Sequence, residues 1–473
     1  FHVSKAAKPT VLLPHWHPSR HIPACTGMPS RHVGCSCSQL LLWFPLPLQH
    51  TVELMLNPEL WPFFLFFTGL VCRSCWHANL RAKRAPPVQP RALPQKASAE
   101  QVFPPLQGKD DGAAYGSYRI PSLIRLGQPF GHVVLAFAEG RDSTKIDWGR
   151  IDLVLRRSTD GGSTWSPVRV VASGANVGLH GATVGNPCVC WDSYRQRVVL
   201  LMTVTEAGAS EPAVWCLAAP RRRVFATSSV DGGVTWREPC EITGEAAREG
   251  WTWYATGPGR ALQLRAGPCA GRILVPCDHV HTVRPRGPLA SLRTAFTLRS
   301  HVIFSDDGGD SWLLGGTGPA GTNECQVAEL PGGRLLLNMR DFTGRGCRCI
   351  ATSCDSGRSF QDAHHDTALL EPRPAGCQCS LLSGPHGLLF FSGPGDLGGK
   401  RRELMLRCSR DAGSSWPIAV RVHAGPAAYS CLELLGEPAR QELGVLFEGG
   451  SDGADPYEAI YLCRMQLASV AEA

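Results

Sequence analysis

Cysteines are the first residues whose type and spacing could do chemistry. Twenty occur, and eight of them form the pairs Cys35/Cys37, Cys188/Cys190, Cys347/Cys349 and Cys377/Cys379, each with one residue between. In a strand, residues i and i+2 share a face, so these pairs read as side-by-side thiols. Zinc sites usually place two to four residues between their cysteines, so buried reduced thiols fit the pattern better than a metal. The Cys277, Asp278, His279, His281 cluster reads the same way, as a strand end with satisfied polar groups. A second set is acidic: Asp160, Asp231, Asp307, Asp355 and Asp411 each sit in a Ser-x-Asp-x-Gly-x-(Ser/Thr)-aromatic octet, at 158–165, 229–236, 305–312, 353–360 and 409–416. A repeated carboxylate could serve as a base. Here each Asp can accept backbone N–H bonds inside a hairpin turn, the Gly can take positive φ, and the aromatic can pack back over the hairpin. The five are therefore assigned to structure, although the fourth octet ends in Phe360 where the others have Trp.

Those turns imply the elements between them. Successive Asp positions are 71, 76, 48 and 56 residues apart, each about the length of a four-stranded antiparallel blade with its loops. Between the octets run β-branched and apolar stretches such as HVVLAFAEG, RVVLLMTVT, GRLLLNMR and LGVLFEGG, none with helical period over fifteen residues. The chain from 106 to 473 is thus expected to be all-β: a six-bladed β-propeller closed around a cavity where strand ends converge, preceded by a largely irregular N-terminal extension.

Charge narrows the function class. The net charge is +7, but residues 1–100 hold ten Lys+Arg and three Asp+Glu, leaving 37 of each sign for the rest. A balanced globular domain gives no reason to propose nucleic acid as a partner. Starting at Phe1 rather than Met, the chain reads as a piece of something longer or as misassigned at its start. Residues 1–83 form the extension; within them LWPFFLFFTGLVC at 60–72 is uncharged and then meets Arg73, Arg81, Lys83 and Arg84. Thirteen residues are too few for an ordinary membrane-spanning helix, so an interfacial or poorly ordered segment is expected, with a signal peptide next. Residues 84–105, with six prolines, read as an extended linker. No Asn-x-Ser/Thr sequon occurs, which favours a cytoplasmic or membrane-associated location, with the lysosome as the alternative.

The polar residues outside the octets carry a resemblance. YRIP at 118–121, FAEGR around Glu139 and Arg141, the five octets, NECQVAELPGGRLLLNMR at 323–340, AAYSCL around Tyr429 and LFEGG around Glu448 follow one another in the order of the exo-α-sialidase (neuraminidase) family. The resemblance covers essentially all of 115–465. DWGRIDLVLRRSTDGGSTW looks closer to its bacterial and lysosomal-like branch.

What the resemblance implies has a physical logic. Sialic acid bears a carboxylate on its anomeric carbon, and forked, permanently charged guanidinium groups suit it better than Lys. By motif position these are Arg119, Arg340 and Arg401, with Arg402 competing for the third place, and Arg141 resembles a further pocket arginine. An anionic nucleophile is repelled by that carboxylate, whereas a phenol can approach neutral and pass its proton to a carboxylate. A tyrosine nucleophile is the family's known departure from other glycosidases. Tyr429 matches it and Glu324 its base, with Tyr118, Tyr254 and Tyr457 as other pocket tyrosines. Asp147 fits the acid/base position, with Asp142 the competitor; Glu448 and Glu139 would hold the arginines. The implied activity is retaining hydrolysis of terminal sialic acid from gangliosides, glycoproteins and oligosaccharides, with no metal and no cofactor. A trans-sialidase uses the same constellation, but no separate lectin domain is visible. A non-catalytic sialoglycan-binding propeller would be expected to lack at least one of these residues. Peripheral membrane association through the basic N-terminal stretch would be an accessory property, and the oligomeric state is left open.

Overall fold

The computed structural model describes residues 99–104, 115–142, 146–283, 295–396, 399–437 and 440–472. The extension 1–83, its apolar segment at 60–72, Cys35/Cys37 and the linker up to 98 lie outside the described residues. No helix among the described residues is long and apolar enough to cross a membrane.

Six four-stranded antiparallel blades follow one another. Blade 1 is Ser117–Arg125, Val134–Arg141, Ile151–Ser158 and Arg169–Ala172. Blade 2 is Thr183–Asp192, Arg197–Thr205, Arg223–Ser229 and Cys240–Glu241. Blade 3 is Trp251–Thr256, Ile273–Val283, Ala295–Ser305 and Leu313–Ala320. Blade 4 is Thr322–Glu329, Leu335–Asp341, Cys347–Ser353 and Gln361–Leu370. Blade 5 is Ser380–Ser383, Leu389–Pro394, Arg402–Ser409 and the first half of the long strand Ile418–Leu435. The second half of that strand opens blade 6, which continues through Glu442–Gly449 and Ala459–Gln466.

The fourth strand of blade 6 comes from the other end of the described chain: Ala99–Phe103 pairs antiparallel with Ala459–Gln466. The sequence assigns these residues to the proline-rich linker, and the structure corrects that assignment. The prolines at 94, 104 and 105 flank the strand without entering it, and Val102 and Phe103 are fully buried. This pairing also explains why five octets serve six blades. Each octet begins on the last residue of a third strand and turns it into the fourth, and blade 6 has no such turn because its fourth strand arrives from elsewhere.

Each octet closes as its composition requires. In the first, Asp160 Oδ1 accepts from Thr164 N at 2.8 Å and Ser163 N at 3.0 Å, while Ser158 Oγ donates to it at 2.7 Å. Hydrogen bonds from Thr164 and Ser158 hold the Asp160 carboxyl well below the usual range. The aromatic then packs into the groove between its own blade and the preceding one, as Trp312 does between blades 2 and 3 and Trp416 between blades 4 and 5.

The core is a ring of six apolar layers, one between each pair of neighbouring blades. Along Arg197–Thr205, Val198, Leu200, Met202 and Val204 face blade 1 while Val199 and Leu201 face blade 3. A sheet buried on both faces needs an unbroken apolar run, which is why this strand reads RVVLLMTVT without alternation. The layer between blades 6 and 1 joins Leu446, Ile460 and Leu462 to Leu123, Val134 and Ala136, with Val102 and Phe103 in the same cluster. Burying each such side chain contributes roughly 1.5–3 kcal/mol. The first and last blades thereby share an apolar layer like every other neighbouring pair.

All fifteen cysteines among the described residues are free. Cys188 and Cys190 share the layer between blades 2 and 3, as the strand argument requires. Cys377 and Cys379 do not share a face: the first packs beside Tyr429 and the second between blades 4 and 5, because regular strand pairing begins only at Ser380.

Candidate active site

Antiparallel pairing puts the start of each innermost strand beside the end of the second, as in the register Arg119↔Glu139 and Ala427↔Gly449. Polar residues at those positions from different blades therefore meet at one end of the ring. β-Bulges interrupt the inner strands of blades 1, 2, 4 and 6 at 119–122, 185–188, 322–325 and 427–430. Each re-aims side chains into the ring. Ile120 adopts φ 60°, a strained conformation for a β-branched residue, and its N–H donates to Glu448 Oε1 at 2.8 Å.

A cavity of about 270 Å³ results, lined by Arg119, Glu139, Arg141, Asp147, Glu324, Arg340, Arg401 and Tyr429 among others. Arg119 is clamped by Glu448, which accepts from Nε at 3.0 Å and from Nη2 at 3.3 Å. Glu448 is fully buried and also accepts from Tyr429 N at 3.1 Å, so one carboxylate ties the arginine to the tyrosine strand. Arg340 Nη1 donates to Glu324 Oε2 at 2.6 Å and to the Tyr429 hydroxyl at 3.2 Å, and its Nε to Ala375 O at 2.7 Å. Arg401 donates to the Tyr457 hydroxyl at 2.8 Å and Gly376 O at 3.5 Å, with no carboxylate in ion-pair range among the described residues. Its neighbour Arg402 turns to the surface, 42% exposed and 3.8 Å from Asp452. Three guanidinium groups thus border one cavity, two of them paired with carboxylates and Arg401 held by neutral oxygens.

Beside them, the Tyr429 hydroxyl donates to Glu324 Oε1 at 2.6 Å. Burial and the Glu324 carboxylate push the phenol well above its ordinary value, outweighing Arg340 and Arg401, so Tyr429 is neutral at physiological pH. Of the other tyrosines, Tyr118 lies in the core between blades 6 and 1, and Tyr254 bonds His301 Nε2 at 3.0 Å. Tyr457 lines the cavity with its ring 3.9 Å from the Arg119 guanidinium carbon.

Asp147 occupies the loop between the second and third strands of blade 1. Its Oδ1 accepts from Arg141 Nη1 at 2.6 Å and Arg119 Nη1 at 3.3 Å, while the side chain stays 53% exposed to the cavity. Burial opposes ionisation there, but Arg141 and then Arg119 outweigh it and hold the carboxyl below its usual value. Asp142 instead faces Arg150 at 3.7 Å, outside the cavity. Glu139 receives Arg141 through Nε at 2.9 Å and also accepts from Asn186 N at 2.8 Å. Gly185 makes that approach possible, since a Cβ there would fall 2.1 Å from Glu139 Oε1.

Glu211 and Arg222 also line the cavity without a signal in the sequence, and Asp278 lines it although the sequence reads it as part of a satisfied strand end. Glu211 starts a short helix, Glu211–Trp215, capped by Ser210. Burial, then the charge of Asp147, pushes its carboxyl up to about 7. Arg222 stacks over Trp253 at 4.2 Å. Asp278 is fully buried; Asn323 Nδ2 donates to its Oδ2 at 2.8 Å, and its Oδ1 has no hydrogen-bond partner among the described residues. Burial, reinforced by Glu324, raises its carboxyl well above the usual range. Of the Cys277 to His281 cluster only Asp278 reaches the cavity; His279 pairs with His301, Nδ1 to Nδ1 at 3.0 Å.

Comparison with known proteins shows the family. The BNR repeat-like domain model matches residues 133–440. Sialidase-2 of Mus musculus is 31% identical over 357 residues, covering 71% of this chain and 89% of that protein. The chain belongs to the sialidase family. The sialidase of Bacteroides fragilis is 27% identical over 361 residues, covering 72% of the chain, which spans 61% of that relative's length. The solved Hadza microbial sialidase Hz136 superimposes with a TM-score of 0.63 at 27% identity, over 75% of this chain and 67% of that one. Bacterial and mammalian sialidases thus match at comparable identity, so identity does not single out the bacterial and lysosomal-like branch.

Proposed function

We propose that the chain is a retaining exo-α-sialidase that releases terminal sialic acid from the glycans of gangliosides, glycoproteins and oligosaccharides. One observation carries the reading: a neutral Tyr429 hydroxyl, 2.6 Å from Glu324, borders a cavity also lined by Arg119, Arg340 and Arg401. The arginines bind the substrate carboxylate in forked geometry. That added negative charge weakens the hold of Arg119 on Asp147, whose carboxyl then rises toward the protonated form an acid catalyst needs. Tyr429 attacks C2 and passes its proton to Glu324; the C2–O bond breaks as the leaving oxygen takes a proton from Asp147. Water, deprotonated by Asp147, then attacks C2, and the tyrosine oxygen leaves and recovers its proton from Glu324. Two displacements at one carbon give net retention.

Proton NMR of the first-formed sugar tests this. Wild-type protein acting on a soluble α-sialoside should release the α-anomer before mutarotation; initial β-anomer would sink the double displacement. Adding a galactosyl acceptor should not divert the product, and a new sialoside would favour trans-sialidase activity.

A further inference from the structure

The clamp arginines and the tyrosine strand lean on one short segment, 371–378. Ala375 O receives Arg340 Nε at 2.7 Å and Gly376 O receives Arg401 Nη2 at 3.5 Å. Cys377 packs against Ile120 and Tyr429. The Gln378 amide bonds the residue after Tyr429 from both sides, accepting from Ser430 N at 3.0 Å and donating to Ser430 O at 3.0 Å. One backbone stretch therefore sets the relative placement of two guanidinium groups and the phenol.

That segment is itself fixed by a buried ion pair outside the cavity. Arg348 Nη1 lies 3.2 Å from Glu371 Oε1, and both side chains are fully buried. Arg348 Nη1 also donates to Cys377 O at 2.9 Å, and its Nε to Asn338 Oδ1 at 2.6 Å. Glu371 Oε1 accepts from Asp341 N, next to Arg340, at 3.2 Å. Glu371 lies directly beneath Gly376, where an added Cβ would fall 1.8 Å from Glu371 Oε2 and 3.1 Å from Arg340 Cγ. We infer that the Arg348–Glu371 pair is a positioning device for the anion clamp: it holds segment 371–378 so that Arg340 and Arg401 converge on the substrate carboxylate. The inference rests on the sialidase reading, and neither residue touches substrate.

Its signature is a split between kinetic constants. The clamp grips the carboxylate in ground and transition states alike, whereas Tyr429 is still held by Glu324 from another blade. Glu371→Gln should therefore raise KM for a fluorogenic sialoside about tenfold while kcat changes less than about threefold. Inhibition by a sialic acid analogue that keeps its carboxylate should weaken in parallel. Gly376→Ala, which keeps both charges but drives a Cβ against Glu371 Oε2, should show the same split. Arg272→Lys serves as a control for a purely structural ion pair: Arg272 is buried outside the cavity, bidentate to Asp306 at 2.7 and 2.8 Å, and should lower Tm with KM unmoved. If Glu371→Gln does not fold, Arg348→Lys replaces it with the same expectation. Unchanged KM in Gly376→Ala and in the folded pair variant would overturn the inference while wild-type turnover upheld the sialidase reading; a wild type without turnover would instead fail that reading itself.

Discussion

Replacing Tyr429 by Phe and Glu324 by Gln, singly and together, tests the central chemistry most severely. In Tyr429→Phe the ring still packs on Ile120, Cys377 and Ala428, and Glu324 keeps Arg340 at 2.6 Å. The fold loses two hydrogen bonds to charged groups, about 1.5–3 kcal/mol each, and should still melt cooperatively. Activity should fall far more: losing the nucleophile removes the covalent route, and about 10³-fold or more in kcat corresponds to roughly 4 kcal/mol of barrier. Glu324→Gln should cost about 10²–10⁴-fold as a lost base, and its broken pair with Arg340 should appear separately as a lower Tm. Because the chemical part of Glu324 is to exchange the phenol proton, the double variant should be no worse than about threefold below the poorer single one. The assay is kcat/KM on a fluorogenic sialoside, with a thermal melt of each variant. Losses that multiply, so that the barrier changes add within about 0.5 kcal/mol, would mean the two groups act independently and would refute the coupling.

Other outcomes follow from the same geometry. Arg401→Ala should raise KM by about tenfold or more, whereas Arg402→Ala, at the surface, should leave KM within about twofold, read on the same substrate. Glu211, raised to about 7 in the fold against 4.5 for an ordinary carboxyl, favours the folded state only while protonated. Its contribution is full below the unfolded value and is lost as pH rises through about 7, so Glu211→Gln should match wild type in acid and melt higher than wild type above neutrality. Asp231 shows the opposite sign: burial opposes it, but bonds from Thr235 and Ser229 hold its carboxyl down to about 2. Asp231→Ala should therefore destabilise by about 1–3 kcal/mol at neutral pH in denaturant melts, with kcat and KM unchanged. That difference from wild type should vanish as pH falls through about 2.

The parts legible in the sequence are those governed by short-range contacts. An octet closes through bonds between residues two to four apart, as Asp160 does with Ser158, Ser163 and Thr164, so its residue types alone specify a hairpin. Blade count followed from the spacing of those hairpins, and the β-branched and apolar runs between them marked the strands. Chain order alone could not reveal contacts made by closing the ring. Arg119 meets Glu448 across 329 positions and Tyr429 meets Glu324 across 105, pairings that exist only because blade 6 packs on blade 1 and inner strands converge. The same closure turned Ala99–Phe103 from an apparent linker into a strand, since its partner lies more than 350 residues away. Tertiary packing also chose Arg401 over its neighbour as the cavity arginine, and aimed Asp278 inward from a strand whose residue types read as an ordinary polar end. A side chain's partners in a ring depend on strand register and bulges, and a string of residue types does not record on which side of a bulge a charge will point.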